Sequence, residues 1–95
     1  MEIVWSDPAI KDLDALHEYI ARDSLHYADA FVSKIFTTVD RLERFPRSGR
    51  EVPELQDGVT REIFVGNYRI VYDVSGPVVR ILSILNMARQ FRDPR

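Results

Sequence analysis

The sequence predicts an α+β domain in which a short N-terminal strand (residues 2–5) is followed by an antiparallel two-helix hairpin and a three-stranded antiparallel meander. Three observations predict this order. Apolar residues recur at helical spacing in the first half, they alternate with a period of two in the second half, and residues 46–59 between the halves hold two prolines and two glycines. We therefore expect one domain over residues 1–95, with the helices on one face of the sheet.

Two helix starts are visible in the first half of the chain. Asp7 and Pro8 are typical of an N-cap followed by proline in the first helical position, which predicts a helix over residues 8–22. Asp23-Ser24 indicates a second start, and this helix should end at Phe45-Pro46 because the residue before proline disfavours helix. The short connection requires an antiparallel hairpin. The apolar stripes that would be buried are Ala9, Leu13, Leu16 and Ile20, then Ala28, Phe31, Ile35, Val39 and Leu42.

Three segments of the second half are rich in β-branched and aromatic residues. They predict strands over residues 60–65, 68–74 and 78–85. Gly66-Asn67 is a suitable two-residue hairpin turn, since both residue types tolerate a positive φ. Ser75-Gly76-Pro77 is expected to close the second hairpin.

The two turns predict which side chains share a face of the sheet. If Val65 faces Tyr68 and Val74 faces Pro77, a mostly apolar set lies under the helices: Ile63, Val65, Tyr68, Ile70, Tyr72, Val79, Ile81, Ser83 and Leu85. The opposite face then carries Glu62, Phe64, Arg69, Val71, Asp73, Arg80, Leu82 and Ile84. This second set is too apolar for a face that stays in water, so we interpret it as a partner-binding surface.

Charge is unevenly distributed, although the formal net charge is only −2. Acidic residues dominate residues 1–58, whereas all six basic residues of 59–95 are arginines, whose planar fork suits carboxylates and phosphates. The second half is therefore either a binding surface or a set of solvated strand ends. There is no cysteine, no signal-peptide pattern and no apolar stretch near the roughly 20 residues that span a bilayer. We expect a cytoplasmic protein with no membrane contact, no metal site and no cofactor.

Three local motifs accompany this order of elements. They are the corner Leu42-x-x-Phe45-Pro46-x-x-Gly49-Arg50, the hairpin Arg61-Glu62-x-x-Val65-x-x-Tyr68-Arg69-Ile70-Val71-Tyr72, and the strand Ile81-Leu82-Ser83-Ile84-Leu85 with Arg89 after it. With these motifs the chain resembles the ParE/RelE family of bacterial type II toxin–antitoxin systems over essentially its whole length. The resemblance implies a toxin held by a cognate antitoxin in a hetero-oligomer. Its target would be DNA gyrase in the ParE type, or mRNA on the ribosome in the RelE type.

The RelE type would use arginines for RNA cleavage. The resemblance implies catalytic roles for Arg61, Arg69 and Arg89 in that case. However, Ile63 stands where the RelE type commonly has a second basic residue, and the tail lacks the tyrosine or histidine–tyrosine pair that many of these enzymes carry. Cleavage needs a base that takes the proton of the 2′-hydroxyl. Arginine stays protonated, and a strand tyrosine would need a pKa far below its usual value of about 10.

The sequence is therefore interpreted as a ParE-like, non-enzymatic inhibitor of DNA gyrase that serves plasmid or chromosomal-segment maintenance. The alternative is a RelE-like ribosome-dependent mRNA endonuclease, and a third possibility is a degenerate member that retains only antitoxin binding. The residues expected to contact the target are Asn86, Arg89 and Arg92. The residues expected to contact the antitoxin are Phe64, Arg69, Val71, Arg80, Leu82 and Ile84.

Purely structural roles are the competing interpretation of several of these residues. Arg61 and Arg69 could simply form ion pairs with Glu62 or Asp73 on the sheet surface. The strand tyrosines, Tyr72 among them, could be core aromatics whose hydroxyl groups lie at the edge of the core.

Overall fold

The computed structural model describes residues 1–87. The strands are β1 (Glu2–Trp5), β2 (Arg50–Glu51), β3 (Thr60–Val65), β4 (Tyr68–Ser75) and β5 (Val78–Asn86). The helices are α1 (Asp7–Ala21) and α2 (Leu25–Asp40), and a short 3₁₀ helix, Arg41–Glu43, follows α2. The α+β class and the order of the predicted elements are confirmed.

Within residues 1–87 the strands form one mixed five-stranded sheet in the order β1-β5-β4-β3-β2. Strands β3, β4 and β5 form the predicted antiparallel meander. Strand β1 lies parallel to β5 at one edge, and the helix hairpin carries the chain from β1 across the sheet to β2 at the other edge. Strand β2 lies antiparallel to β3, inside the segment predicted to be a loop. The sheet is thus wider than the meander by one strand at each edge.

Both helices begin at a serine N-cap. The hydroxyl of Ser6 accepts a hydrogen bond from the Ala9 amide at 3.2 Å, and that of Ser24 accepts one from the Tyr27 amide at 3.1 Å. The prediction that Asp7 is the N-cap of α1 is therefore wrong by one residue. Asp7 is instead the first helical residue, where its negative charge suits the positive end of the helix dipole.

The helix hairpin covers one face of the sheet, which we call the helix face. Its core is apolar and continuous, and the fully buried large side chains include Ile35, Val39, Ile70, Tyr72, Val79 and Ile81. Burying each such side chain contributes about 1.5–3 kcal/mol relative to leaving it in water. The helix face therefore supplies most of the apolar stabilisation of the domain, as the spacing of the apolar residues predicts.

The register of the first hairpin is as predicted. Val65 lies opposite Tyr68, and Gly66 in the turn between them has a φ of 56°. Such a backbone angle suits glycine, which has no Cβ to clash. The predicted faces of β3 and β4 are therefore confirmed.

The register of the second hairpin differs from the prediction. Val74 lies opposite Val79 instead of Pro77, so the pairing of β4 with β5 is shifted by two residues. Because side chains alternate with a period of two, the predicted faces of β5 are unchanged near the turn. Farther along, Tyr72 pairs with Ile81 and the next pair joins Val71 to Ser83, so β5 carries one extra residue at this point. Such a bulge inverts the side-chain alternation beyond it.

The end of β5 consequently shows faces opposite to those predicted. Ile84, one of the residues expected to contact the antitoxin, lies opposite Ile70 and belongs to the core of the helix face, so its predicted place on the opposite face is wrong. Ser83 and Leu85, predicted to lie under the helices, lie on the other face, where Leu85 is opposite Arg69. The extra residue of the bulge causes all three errors.

The face opposite the helices, here called the outer face, is not bare. Residues 50–59, here called the strap, run across part of it, and Val52 and Leu55 pack on Val71 and Leu82. Val71 is fully buried and Leu82 is 5% exposed. The expectation of an uncovered apolar strip is therefore wrong for these two residues, since a loop closes over them. The side chains of the outer face include Glu62, Phe64, Arg69, Val71, Asp73, Arg80, Leu82, Ser83 and Leu85.

Candidate functional site

The outer face is organised around a buried carboxylate. The side chain of Glu62 on β3 has no exposed surface, and each of its oxygens lies against a different arginine. Arg50 Nε lies 2.6 Å from Glu62 Oε2, and Arg69 Nη2 lies 2.7 Å from Glu62 Oε1. Withdrawing a carboxylate from water costs on the order of several kcal/mol unless partners compensate it. The two arginines provide that compensation.

Arg69 is held from a second side by the strap. Arg69 Nη1 donates to Glu54 Oε2 at 2.9 Å and Nη2 donates to Oε1 at 3.3 Å, which is the forked geometry of an arginine–carboxylate pair. Only 11% of the Arg69 side chain is exposed, against 43% of the Glu54 side chain. The hydrogen bond lowers the pKa of Glu54 and raises the pKa of Arg69. Glu54 thus occupies one edge of the Arg69 guanidinium group.

A separate ion pair joins the neighbouring strands β4 and β5. Arg80 on β5 donates to Asp73 on β4 through Nη2 at 2.9 Å and through Nε at 3.4 Å. The Asp73 side chain is 5% exposed and that of Arg80 is 50% exposed. Hydrogen bonding to Asp73 raises the pKa of Arg80. Arg80 therefore keeps half of its surface available while one edge of its guanidinium group is occupied.

Phe64 is the exposed aromatic of the outer face. Its side chain is 42% exposed, and the Arg50 guanidinium lies 5.0 Å from the centre of its ring. This cation–π contact joins Phe64 to the cluster around Glu62. Of the apolar residues predicted to bind the antitoxin, Phe64 offers a contact surface, whereas Val71 and Leu82 lie beneath the strap.

The motif around residues 45–50 forms a corner that β4 holds in place. The buried hydroxyl of Tyr72 donates to the Pro46 carbonyl at 2.8 Å and accepts from the Gly49 amide at 2.9 Å. Arg61 Nη1 donates to the carbonyl oxygens of Gly49 at 2.7 Å and Arg47 at 3.4 Å. Tyr72 and Arg61 therefore have structural roles here, and the prediction of a core tyrosine with its hydroxyl at the edge is confirmed.

The corner explains why glycine stands at position 49. A Cβ on Gly49 would lie 2.6 Å from the Tyr72 hydroxyl and 2.7 Å from the Glu62 carbonyl oxygen, both closer than packing permits. The burial that this close packing produces also raises the pKa of Tyr72, although the Gly49 amide and Arg61 act in the opposite direction. Because the pKa is raised, even less of Tyr72 is in the tyrosinate form, the form that could accept a proton, at neutral pH.

A row of arginines in the corner was not recognised in the sequence. Arg41, Arg44, Arg47 and Arg50 occur at every third position and are all exposed. Arg50 pairs with Glu62, and no ion pair inside residues 1–87 involves the other three. The three-residue spacing was the signal that could have revealed them. It was hidden because the first half of the chain is acidic as a whole.

The residues predicted to contact the target lie only partly in the described segment. Asn86 ends β5 and lines a groove of about 390 Å³ together with Asp12, Tyr19, Arg22 and Tyr68. Asp12 also accepts a hydrogen bond from the Ile84 amide at 2.9 Å, at the part of β5 beyond the end of β1. Arg89 and Arg92 lie outside the described residues.

Both histidines lie on the helix hairpin, on the other side of the sheet from the outer face. His17 on α1 lies 2.7 Å from Asp29 on α2, and His26 on α2 is exposed. The described residues bring together no group of three or more carboxylate or imidazole side chains that could hold a metal ion. Neither α1 nor α2, the helices of the described segment, combines the length and the apolar character needed to cross a bilayer.

Comparison with known families identifies the chain. Residues 3–91 match the family described as the ParE toxin of type II toxin-antitoxin system, parDE. The chain is a ParE-family toxin. The match includes the helix hairpin, the corner and the whole meander, so the resemblance inferred from the three motifs is confirmed.

The ParE-family toxin is similar to two named toxins and one putative toxin over nearly its full length. Toxin RelE2 of Caulobacter vibrioides is 33% identical over 89 residues, which cover 93% of this chain and 97% of that protein. The putative toxin Y4kP of Sinorhizobium fredii is 32% identical over 92 residues, covering 94% and 91%. Toxin ParE3 of Caulobacter vibrioides is 29% identical over 85 residues, covering 88% and 84%.

A solved structure shares the fold. It is a chain of the chromosomal ParDE TA system from P. aeruginosa, with a TM-score of 0.74 and 24% identity, covering 88% of this chain and 92% of that one. The fold and the family membership together establish that the protein is the toxin of a type II toxin–antitoxin system, and such a toxin has an antitoxin as its partner.

Proposed function

We propose that this toxin inhibits DNA gyrase in the cytoplasm without catalysing a reaction, and that it serves plasmid or chromosomal-segment maintenance. The observation that carries the proposal concerns the residues that RNA cleavage would require. Arg61 and Arg69, the strand arginines of the nuclease interpretation, are bonded to the corner and to carboxylates. The Tyr72 hydroxyl is buried between two backbone groups and its pKa is raised.

These contacts matter because attack by a 2′-hydroxyl needs a proton acceptor and free cations near the phosphate. Arginine does not accept protons at physiological pH. Arg69 would first have to leave Glu62, whose buried carboxylate would then keep Arg50 alone of its two arginine partners. A function based on binding makes no such demand on these residues.

A RelE-like ribosome-dependent mRNA endonuclease is the second candidate. It is favoured by one observation, the 33% identity to a protein named Toxin RelE2 over 93% of this chain. In that case Arg89, which follows the last strand, would join Arg61 and Arg69 at the phosphate.

We further propose that the antitoxin binds the outer face through the groups that remain accessible there. Phe64 offers an exposed aromatic surface, and Arg80 offers the half of its side chain that Asp73 does not cover. Arg69 would bind an antitoxin carboxylate in place of Glu54, because Nη1 and Nη2 of Arg69 already donate hydrogen bonds toward the position of the Glu54 carboxylate. Val71 and Leu82 would support this contact from beneath the strap. On the target side, Asn86, Arg89 and Arg92 are proposed to contact gyrase.

The target is tested by inducing the toxin alone and pulse-labelling DNA and protein synthesis. A gyrase inhibitor should first arrest DNA synthesis and induce the DNA-damage response, and the purified toxin should trap gyrase with cleaved plasmid DNA. An immediate collapse of protein synthesis with DNA replication intact would reject gyrase in favour of the ribosome. Growth unaffected by the folded toxin would identify a degenerate member.

The antitoxin face is tested with Phe64→Asp, and Ile10→Asp serves as a matched control. Both residues are exposed to a similar extent, 42% and 44%, but Ile10 lies on α1. If Phe64 is an anchor, its change should weaken antitoxin binding at least about tenfold, because truncating a central aromatic anchor costs about 2 kcal/mol or more. Equal affinities of the two folded variants would place the antitoxin on another surface.

A further inference from the structure

The row of arginines begins where the helix hairpin ends. It consists of Arg41, Arg44, Arg47 and Arg50, and all four are exposed. Arg41 begins the 3₁₀ helix, and its carbonyl accepts hydrogen bonds from the amides of Arg44 and Phe45 at 3.2 and 2.9 Å. A 3₁₀ helix has three residues per turn, so side chains three positions apart point to the same side. The start of the row is therefore an ordered line of cations.

The corner fixes the backbone in the second part of the row. The Tyr72 hydroxyl bridges the Pro46 carbonyl and the Gly49 amide, at 2.8 and 2.9 Å. Arg61 Nη1 donates to the carbonyl oxygens of Arg47 and Gly49, at 3.4 and 2.7 Å. These bonds hold the chain on both sides of Arg47. A ligand of the row would therefore not have to order this backbone when it binds.

Three arginines of the row have no carboxylate partner within residues 1–87. Arg50 pairs with Glu62, and no ion pair in the described segment involves the other three. Residues 41–50 contain four arginines and a single acid, Glu43. The corner is thus strongly basic although the chain as a whole is slightly acidic, and this local charge favours a ligand that carries several negative charges.

Apolar surface lies among these charges. Phe45, inside the row, is 61% exposed. The Arg50 guanidinium lies 5.0 Å from the ring centre of Phe64, which is 42% exposed. A groove of about 420 Å³ lies beside the row, and its lining includes Arg41, Leu42, Arg50, Ile63 and Phe64. Arginines interleaved with exposed aromatic rings suit a ligand that combines planar rings with regularly spaced negative charges.

We propose that the row and the groove bind single-stranded DNA, with phosphates on Arg41, Arg44 and Arg47 and with bases against Phe45 and the apolar lining of the groove. The proposal rests on the proposed function, from which the choice of DNA over RNA follows, and it gives the toxin a contact of its own with the DNA at its target. This contact is separate from the residues proposed to bind gyrase and the antitoxin, except at Phe64.

Two other polyanions fit the surface less well. A DNA duplex would satisfy the arginines through its phosphates, but its bases are stacked on each other and would leave Phe45 without a partner. An acidic protein segment would also pair with the arginines, but carboxylate side chains offer no ring to stack on an aromatic residue. The combination of unpaired arginines and exposed rings therefore favours a single strand.

The test is fluorescence anisotropy of a labelled single-stranded DNA of about 12 nucleotides, titrated with the purified toxin at several salt concentrations. Three phosphate contacts predict a slope of about −2 for the logarithm of the binding constant against that of the salt concentration. Arg44→Gln/Arg47→Gln should weaken binding at least about tenfold at low salt and reduce the slope to about −0.7. Lys11→Gln/Lys34→Gln on α1 and α2 removes the same net charge, and it should change neither value appreciably.

A second variant tests the contact with the bases. Phe45→Ala should weaken binding at least about fivefold, because one stacked base is lost, and it should leave the salt slope unchanged because no phosphate contact is removed. Tyr27→Ala on α2 is the matched control, since this ring is exposed to a similar extent, 59% against 61%. A loss of affinity of the same size in both variants would contradict base stacking at the row.

The remaining outcomes separate this inference from the proposed function. Binding that the row variants leave unchanged, or equally tight binding of a duplex, of RNA of the same sequence or of poly-glutamate of equal charge, would overturn it. Gyrase inhibition by a toxin that binds no DNA would overturn this inference alone. DNA binding through the row by a toxin that halts protein synthesis instead of DNA synthesis would overturn the proposed function and leave the binding surface standing.

Discussion

The two faces of the sheet are stabilised by different means. The helix face buries a continuous apolar core between the helices and the strands, and it includes Ile35, Ile70 and Ile81 without any exposed surface. The outer face has only a small apolar cluster under the strap, and beside it lie Glu62 and Asp73, which are buried and paired with arginines. The helix face therefore depends on apolar burial, and the outer face depends on compensated charge.

The contrast between the two faces indicates where the domain can accept a partner. The apolar side chains of the helix face are already removed from water by the helix hairpin. That face therefore has little apolar surface left to bury against a partner. A buried charge pair contributes little net stability, but removing one of its members is costly. The outer face therefore tolerates few changes to the residues that pair with Glu62 and Asp73. Exposed arginines and Phe64 border that face. The region stabilised by charge is thus also the one left available for binding.

The largest expected effect is on the helix face. Ile70→Ala should lower the free energy of unfolding by about 4 kcal/mol, because it removes a fully buried side chain and leaves a cavity at the centre of the sheet. Urea denaturation measures this loss. The matched control is Ile10→Ala on α1, where the side chain is 44% exposed and the loss should stay below about 1 kcal/mol. Similar losses in both variants would contradict the assignment of the main core.

The next effect tests compensated charge on the outer face. Arg69→Met should lower the free energy of unfolding by about 3 kcal/mol. This is the lower end of the range for breaking a buried ion pair, because Arg50 still faces Glu62. Adding Glu62→Leu to this variant should recover most of the loss, because it removes a buried carboxylate that has lost one of its two arginine partners. Arg47→Met, at an exposed arginine, is the control in the same denaturation experiment. A double variant no more stable than Arg69→Met would mean that packing, not charge, explains the loss.

A smaller effect is expected where the two faces meet at the corner. Tyr72→Phe keeps the ring in the core of the helix face but leaves the Gly49 amide without its acceptor, which should cost about 1–2 kcal/mol. Amide exchange should also accelerate at Gly49 more than at Ile70. Tyr27→Phe on α2, where the ring is 59% exposed, is the matched control and should be neutral. A neutral Tyr72→Phe would show that the corner is held by other contacts.

The smallest expected effect depends on pH. The hydrogen bond from Arg69 holds the pKa of Glu54 below its usual value of 4.5, so the pair contributes stability above pH 4.5 and loses it as the pH falls through the lower folded-state value. Because Glu54 is largely exposed, Glu54→Gln should cost below about 1 kcal/mol at pH 7, and the difference from wild type should vanish in acid. Thermal unfolding at several pH values measures it, with Glu51→Gln as the control from the same strap. A difference that grows in acid would contradict the sign.

If the antitoxin displaces Glu54 from Arg69, Glu54→Gln should also bind it more tightly than wild type at neutral pH. The effect follows because the competing carboxylate of the strap has been removed. Glu51→Gln again serves as the control, and calorimetric titration measures both affinities. Weaker binding by Glu54→Gln would indicate that the strap carboxylate helps to present Arg69 instead of competing for it.

Local signals in the sequence predicted most of the fold. Apolar spacing identified both helices and their buried stripes, and Gly66-Asn67 predicted the first hairpin together with its register. These features depend on residues close to one another in the chain, where the period of the apolar residues and the length of a turn leave few alternatives. The order strand, helix hairpin and meander, together with three short motifs, was also enough to indicate the ParE family.

The way in which these elements meet depends on long-range contacts. One extra residue in β5 turned Ile84 toward the helices, and the strap closed over Val71 and Leu82 while bringing Glu54 to Arg69. A bulge depends on the strand beside it, and the position of a strap depends on the surface it can bury. Both are settled by contacts between residues far apart in the sequence, where local propensity and spacing carry no information.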